Sequence, residues 1–191
     1  MRLFIGVELP EAVKESAAEQ LRDVQERVRR AAPAAAIRWV EPANLHVTLW
    51  FIGEVEDARA AALTSALQPP FGTPRFDLAL ESLGTFPPSG PPRVIWIGVA
   101  SGREPLIAVY GEVRDRLVRL GYEPEARPYS PHLTVARVKD MRGAGGKAVR
   151  AILANHPVAL PTFTQTSVTL FRSRTSPKGA QYESLLRVPL K

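Results

Sequence analysis

His46-Val47-Thr48-Leu49 and His132-Leu133-Thr134-Val135 are two copies of one four-residue pattern. In each, an imidazole and a hydroxyl stand two positions apart with aliphatic residues between and after them. Side chains on a strand alternate between faces, so each His/Thr pair shares one face and the aliphatics take the other. The chain has three histidines, and two of them occupy this frame, 86 residues apart at positions 46 and 132.

The surroundings repeat as well. Arg2-Leu3-Phe4-Ile5-Gly6-Val7, a helical pattern and the first motif are matched by Arg93-Val94-Ile95-Trp96-Ile97-Gly98-Val99, a helical pattern and the second. A strand–helix–strand unit therefore occurs twice, over about residues 2–55 and 93–140, and each copy carries one His/Thr pair.

A length of 191 residues suits one domain or two tightly joined lobes. A chain of this size buries roughly 70% of its unfolded surface, enough for a core without staples. The absence of cysteine removes disulfides, zinc thiolates and thiol nucleophiles. The first apolar run is interrupted at Glu8 and is too short for a signal peptide or a membrane span, so a cytoplasmic protein with no membrane partner is expected. The formal net charge of +6 favours an anionic partner, with RNA foremost.

Pro10 suits the start of a helix, and Val13, Ala17, Leu21, Val24 and Val28 form its apolar stripe. The opposite face mixes Arg22, Arg27, Arg29 and Arg30 with Glu19, Asp23 and Glu26, a solvated surface with local ion pairs. A short strand is expected over Ile37–Val40, a motif strand over Leu45–Ile52 ended by Gly53, and a helix over Ala58–Leu67 capped by Asp57. Phe76, Leu78 and Leu80 alternate as in a half-buried strand, and Phe86–Pro92 reads as a proline-rich loop. Leu106, Val109, Tyr110, Val113, Leu117 and Leu120 mark a second long helix, with Gly121 at its left-handed cap. A helix near Lys147–Asn155, strands over Thr162–Phe171 and Gln181–Val188, and a polar turn over Ser173–Gly179 complete the chain.

Two His/Thr pairs facing one cleft make an acid–base site: one imidazole takes a proton while the other gives one. The threonine hydroxyls are placed to donate hydrogen bonds to a phosphate between them. The segment Gly143-Ala144-Gly145-Gly146-Lys147-Ala148 imitates a phosphate loop, but Met141 stands where the first glycine belongs and Ala148 replaces the hydroxyl residue. It reads as a turn before a helix, and no nucleotide cofactor is expected. His156 reads as a loop residue. No third histidine or convergent carboxylates accompany the motifs, so no metal is expected.

The paired motifs, with Phe51-Ile52-Gly53 after the first and Pro131 before the second, resemble the 2H phosphoesterases. The branch they are most similar to is the RNA 2′,3′-cyclic phosphodiesterases, also called 2′-5′ RNA ligases. The likeness runs over nearly the whole chain, including Arg2–Leu9, Arg93–Gly98 and the Leu170-Phe171-Arg172-Ser173 to Gly179 region.

The resemblance implies an α+β, bilobal, duplicated fold, with two antiparallel β-sheets facing across a central cleft and helices on the outer faces. It implies cofactor- and metal-independent opening of an RNA 2′,3′-cyclic phosphate to a 2′-phosphate, with reversible ATP-independent 2′-5′ ligation as a second activity. His46 becomes the proton donor, His132 the acceptor, and Thr48 and Thr134 the phosphate ligands. Arg137, five residues after His132, falls where the family has a phosphate-binding arginine. Plain alternation puts Arg137 on the Leu133/Val135 face, so only a bulge or the strand's end brings it round. Phe86 and Tyr129 are candidates to stack a terminal base, with core-covering loop aromatics as the other reading. The expected partner is RNA ending in a cyclic phosphate, tRNA halves included, and the expected state is a monomer. A non-catalytic RNA-end or nucleotide-binding module and a phosphodiesterase for small cyclic phosphates, such as ADP-ribose 1″,2″-cyclic phosphate, are the rival readings.

Overall fold

The computed structural model describes residues 1–141, 145–176 and 179–191. Strand β1 (Arg2–Glu8) leads into helix α1 (Glu11–Ala31). Pro10 is the cap residue there, and its carbonyl accepts from Lys14 N–H at 3.1 Å. Having no N–H, proline adds no orphaned donor of its own at that end. The buried residues of α1 are Val13, Ala17, Leu21, Val24 and Val28, the stripe its periodicity predicts. Its outer face carries Lys14–Glu11, Arg27–Asp23, Arg29–Glu26 and Arg30–Glu26 pairs.

Strand β2 (Ala36–Trp39), a 3-10 turn (Pro42–Asn44), β3 (His46–Glu54) and α2 (Asp57–Leu67) follow. Then come β4 (Phe76–Phe86), β5 (Val94–Ser101), α3 (Arg103–Val118), β6 (His132–Asp140), α4 (Gly145–Ala154), β7 (Phe163–Gln165), β8 (Ser167–Ser176) and β9 (Gly179–Pro189).

The strands hydrogen-bond in the order β7-β4-β5-β6-β3-β1-β8-β9, with β2 on β6, and the pairings are antiparallel. The path has an internal symmetry about its centre. β6 corresponds to β3, β5 to β1 and β4 to β8. The halves are joined at one ladder position, Val47 opposite Leu133, after which β6 pairs with β2 instead. These halves are the two expected sheets, and the sheet curls open over their junction.

Val47, Leu133, Ile5 and Ile97 are fully buried in one apolar cluster together with Val13 and Leu21 of α1 and Val113 of α3. Helices therefore cover the face to which Val47 and Leu133 point. Phe4 and Phe171 are also buried but lie outside that cluster, beside His46.

Several boundaries differ from expectation. The strand expected over Thr162–Phe171 is two: β7 pairs with β4 and β8 with β1, at opposite ends of the path. β4 continues to Phe86, making this residue a strand end and not a loop residue. Ser82 at φ 64 absorbs a bulge in β4 that alternation cannot reveal. Asp57 opens α2 but does not cap it; the cap residue is Glu56, without a side-chain hydrogen bond. β3 passes Gly53 and ends at Glu54. The turn expected over Ser173–Gly179 is shortened by β8 and β9, and its Pro177 and Lys178 lie outside the described residues. Gly143 and Ala144 of the glycine-rich segment do too, and α4 begins at Gly145. Gly121 has φ 82, as its predicted cap role requires.

Candidate active site

β3 and β6 supply the motif side chains, and their single ladder contact sets the arrangement. With Val47 opposite Leu133, the flanking antiparallel positions put His46 beside Thr134 and Thr48 beside His132. Val47 and Leu133 point into the core, so the four polar side chains share the opposite, half-buried face. One imidazole and one hydroxyl from each repeat thus meet across the junction.

Each motif strand then carries a bulge one turn of the pleat further on. Thr48 pairs with Gly6 and Trp50 with Ile5, leaving Leu49 as the extra residue. Thr134 pairs with Trp96 and Ala136 with Ile95, leaving Val135 as the extra residue. The burial sequence records the phase change: Val135 and Ala136 are both buried and Arg137 is exposed. Arg137 therefore lies on the histidine face, contrary to plain alternation, because a bulge resets the parity. In the other repeat the same offset from the histidine brings out Phe51, a large apolar side chain 52% exposed. In the sequence Phe51 stands out only as part of the family pattern and not as a site residue, although the five-residue offset it shares with Arg137 marks it.

Both histidines are anchored in the same way. His46 Nδ1 lies 2.7 Å from the Asn44 carbonyl oxygen, and His132 Nδ1 lies 2.7 Å from the Ser130 carbonyl oxygen. A carbonyl can only accept, so each Nδ1 carries the hydrogen and each Nε2 is left for chemistry. The backbone reaches back two residues in both repeats, which is why no side-chain signal for the anchor exists in the sequence.

The environments differ. His46 sits among Phe4 at 4.7 Å, Tyr182 at 5.2 Å and Phe171 at 5.9 Å between ring centroids. His132 has one aromatic neighbour, Phe86, edge-on at 5.0 Å. Burial lowers the His46 pKa from 6.5 to about 4, its hydrogen bond to the Asn44 carbonyl opposes this, and the Arg137 charge reinforces it. Burial and Arg137 lower that of His132 too, against the bond to Ser130. Arg137 is thus electrostatically coupled to both rings, as a residue on their shared face must be.

A cleft of about 360 Å³ opens beside Thr48 and His132, with Phe51, Phe86 and Tyr129 among its walls. Phe86 and Tyr129 both face it, as the sequence suggested. The Tyr129 hydroxyl donates to the Thr48 carbonyl at 2.9 Å, and its ring stacks on Tyr110 at 4.3 Å. Tyr129 therefore ties the approach to β6 onto β3 as well as lining the cleft. His156 lies away from these residues, 3.4 Å from Asp23. Among the described residues no group of three or more His, Asp or Glu side chains could hold a metal ion. No helix among the described residues is long and apolar enough to cross a membrane.

A profile of the LigT like phosphoesterase family matches the chain twice in succession, over residues 12–96 and 97–182. The chain belongs to this family. The tandem match gives each repeat one motif histidine, in agreement with the symmetry of the strand order. The RNA 2′,3′-cyclic phosphodiesterase of Methanocaldococcus jannaschii is 33% identical over 96% of this chain and 97% of its own length. The protein of the same name from Archaeoglobus fulgidus is 32% identical, over 97% and 98%. The crystal structure of E. coli LigT complexed with 3′-AMP superposes with a TM-score of 0.75 at 26% identity, covering 100% of this chain and 98% of that one. The LigT like phosphoesterase fold here is thus a two-part α/β structure around a curled antiparallel sheet.

Proposed function

We propose that this chain hydrolyses RNA 2′,3′-cyclic phosphate ends to 2′-phosphates, with His46 as general acid and His132 as general base. The observation that carries the reading is the placement of both His/Thr pairs on one face about Val47 and Leu133, with each Nδ1 anchored. The names of the relatives, RNA 2′,3′-cyclic phosphodiesterase, supply the substrate class.

His132 Nε2 takes a proton from water as the water oxygen attacks phosphorus. The bond from phosphorus to the 3′ oxygen breaks, and His46 Nε2 gives that oxygen its proton. A ribose 3′-hydroxyl and a 2′-phosphate result. Thr48 and Thr134 donate hydrogen bonds to the non-bridging oxygens, and Arg137 compensates their charge. With a 5′-hydroxyl end in place of water, the same base and acid join it to phosphorus as the bond to the 3′ oxygen breaks, giving a 2′-5′ linkage and a free 3′-hydroxyl without ATP. Residues 1–191 act as a single unit, because acid and base come from different repeats. The natural substrates are cytoplasmic RNA ends such as tRNA halves, and the protein works as a monomer.

Incubation with a 2′,3′-cyclic-phosphate oligonucleotide tests this. A 2′-phosphate product supports the assignment, and a 3′-phosphate product or an untouched substrate overturns it.

A further inference from the structure

Strand β2 borders β6 just past the catalytic positions, in a register that sets Arg38 directly across from Arg137. Directly opposed residues of an antiparallel pair share a face, with Cβ atoms about 4.5–5.5 Å apart. The bulge at Val135 has already turned Arg137 to the histidine face, so Arg38 stands on it as well. Like charges in this position destabilise a sheet. Among the described residues, neither guanidinium has a carboxylate oxygen within 4.0 Å. Arg27, Arg29, Arg30, Arg172 and Arg187 each meet a carboxylate, whereas Arg38 and Arg137 are set directly opposite each other on one face. An unneutralised arginine pair beside a phosphoester site is a binding feature for an anion.

The two arginines line a cleft of about 210 Å³ together with Trp39, Glu41, Asn44 and Tyr182. Tyr182 touches the ring of His46 edge-on at 5.2 Å. This cleft therefore adjoins the histidines on the His46 side. The aromatic cleft adjoins them on the His132 side, and the two have no lining residue in common. A cyclic mononucleotide held by the histidines, Arg137 and the aromatic cleft would leave Arg38 and the rest of the arginine cleft unfilled.

We propose that Arg38, with Arg137 shared between it and the cyclic phosphate, forms a second phosphate subsite, which takes the internucleotide phosphodiester next to the cyclic phosphate of an RNA strand. The proposal rests on the phosphodiesterase reading above. The small volume and two planar donor forks suit a phosphodiester bound through its two free oxygens. Arg38 is then a specificity residue: it lets the site prefer RNA ends over free cyclic mononucleotides.

The test measures kcat/KM on a 2′,3′-cyclic mononucleotide and on a dinucleotide and a trinucleotide ending in the same group. Arg38→Met should lose about tenfold or more on the longer substrates and less than about twofold on the mononucleotide. The slope of log affinity against log salt for the trinucleotide should fall by about 1, and Arg38→Lys should restore it. Thermal melting of Arg38→Met should equal or exceed that of the parent, since a repulsion is removed. Equal losses on all substrates, or none, overturn the subsite. Anisotropy binding of a 2′-phosphorylated trinucleotide separates the two readings. If no substrate turns over, the phosphodiesterase reading fails, and an Arg38-dependent salt slope still decides the subsite.

Discussion

A histidine moves a proton only through a ring nitrogen that nothing else occupies, and at both motifs the main chain settles which nitrogen that is. Because Asn44 and Ser130 hold Nδ1, an imidazole at either position presents Nε2 whether neutral or charged. His46→Ala and His132→Ala should therefore each lower kcat by about 10²–10⁴, with substrate affinity much less affected. Single-turnover rates alongside equilibrium binding check this, and near-parental turnover in either variant would refute the pairing. The aromatic enclosure of His46 has a second consequence, for stability. Its folded pKa of about 4 lies below the unfolded value of 6.5, so between these pH values the unfolded chain binds more protons. Stability should fall as pH drops through that window, by about 3 kcal/mol from this residue, and show no contribution from it above pH 6.5. His46→Asn should flatten that part of the profile in urea titrations at pH 4 to 7. A parallel fall in both proteins would place the acid sensitivity elsewhere.

At the scale of strands, the site depends on irregularities more than on the regular pleat. The bulges at Leu49 and Val135 turn Phe51 and Arg137 toward the cleft, one apolar and one cationic, at equivalent places in the two repeats. β4 and β5 show the same dependence on close approach. Gly84 pairs with Trp96, and a Cβ at Gly84 would stand 2.3 Å from the Trp96 ring. Trp96 in turn pairs with Thr134 and packs against Phe86 at 5.3 Å. Gly84→Ala should thus displace the indole, lower the melting temperature and reduce kcat. Trp96→Leu in the same chain should restore part of the stability, because it removes the colliding ring. A melting temperature unchanged by Gly84→Ala would show that the indole has room to move.

These features also mark where the sequence was legible. The stripes of α1 and α3 were readable because one period governs a whole helix. The His/Thr face was readable because Val47 and Leu133 declare the other face. Arg137 was not, since a single inserted residue reverses parity and leaves no compositional trace. The break between β7 and β8 at Thr166 was hidden for a similar reason: both flanks alternate as strands, and only their different partners separate them.

For the molecule as a whole, duplication puts the two motif histidines in different repeats on one face, so the titrations of the proposed acid and base must be considered together. In the free protein both imidazoles are depressed by burial and by Arg137, His46 the more strongly because three aromatic rings enclose it. The first proton taken up as pH falls therefore resides mainly on His132, while the proposed assignment of His46 as acid needs it on His46. The reacting form is the minor of two singly protonated states, which lowers the rate by its fraction but leaves the shape of the pH profile unchanged. That shape is a bell, because the doubly protonated and the fully neutral forms are both idle. For kcat/KM, which reports the free enzyme, both limbs should lie below pH 6.5. A bound phosphate anion favours imidazolium, so the kcat bell should sit at higher pH than the kcat/KM bell. Arg137→Met removes a cation that acts on both rings, so it should raise both limbs of kcat/KM together while weakening substrate binding. The limbs belong to the pair, and Thr48→Ala or Thr134→Ala should lower the bell without removing either one. A single-limbed parental profile, or an Arg137→Met profile in which only one limb moves, would show that the two repeats do not share one proton-transfer site.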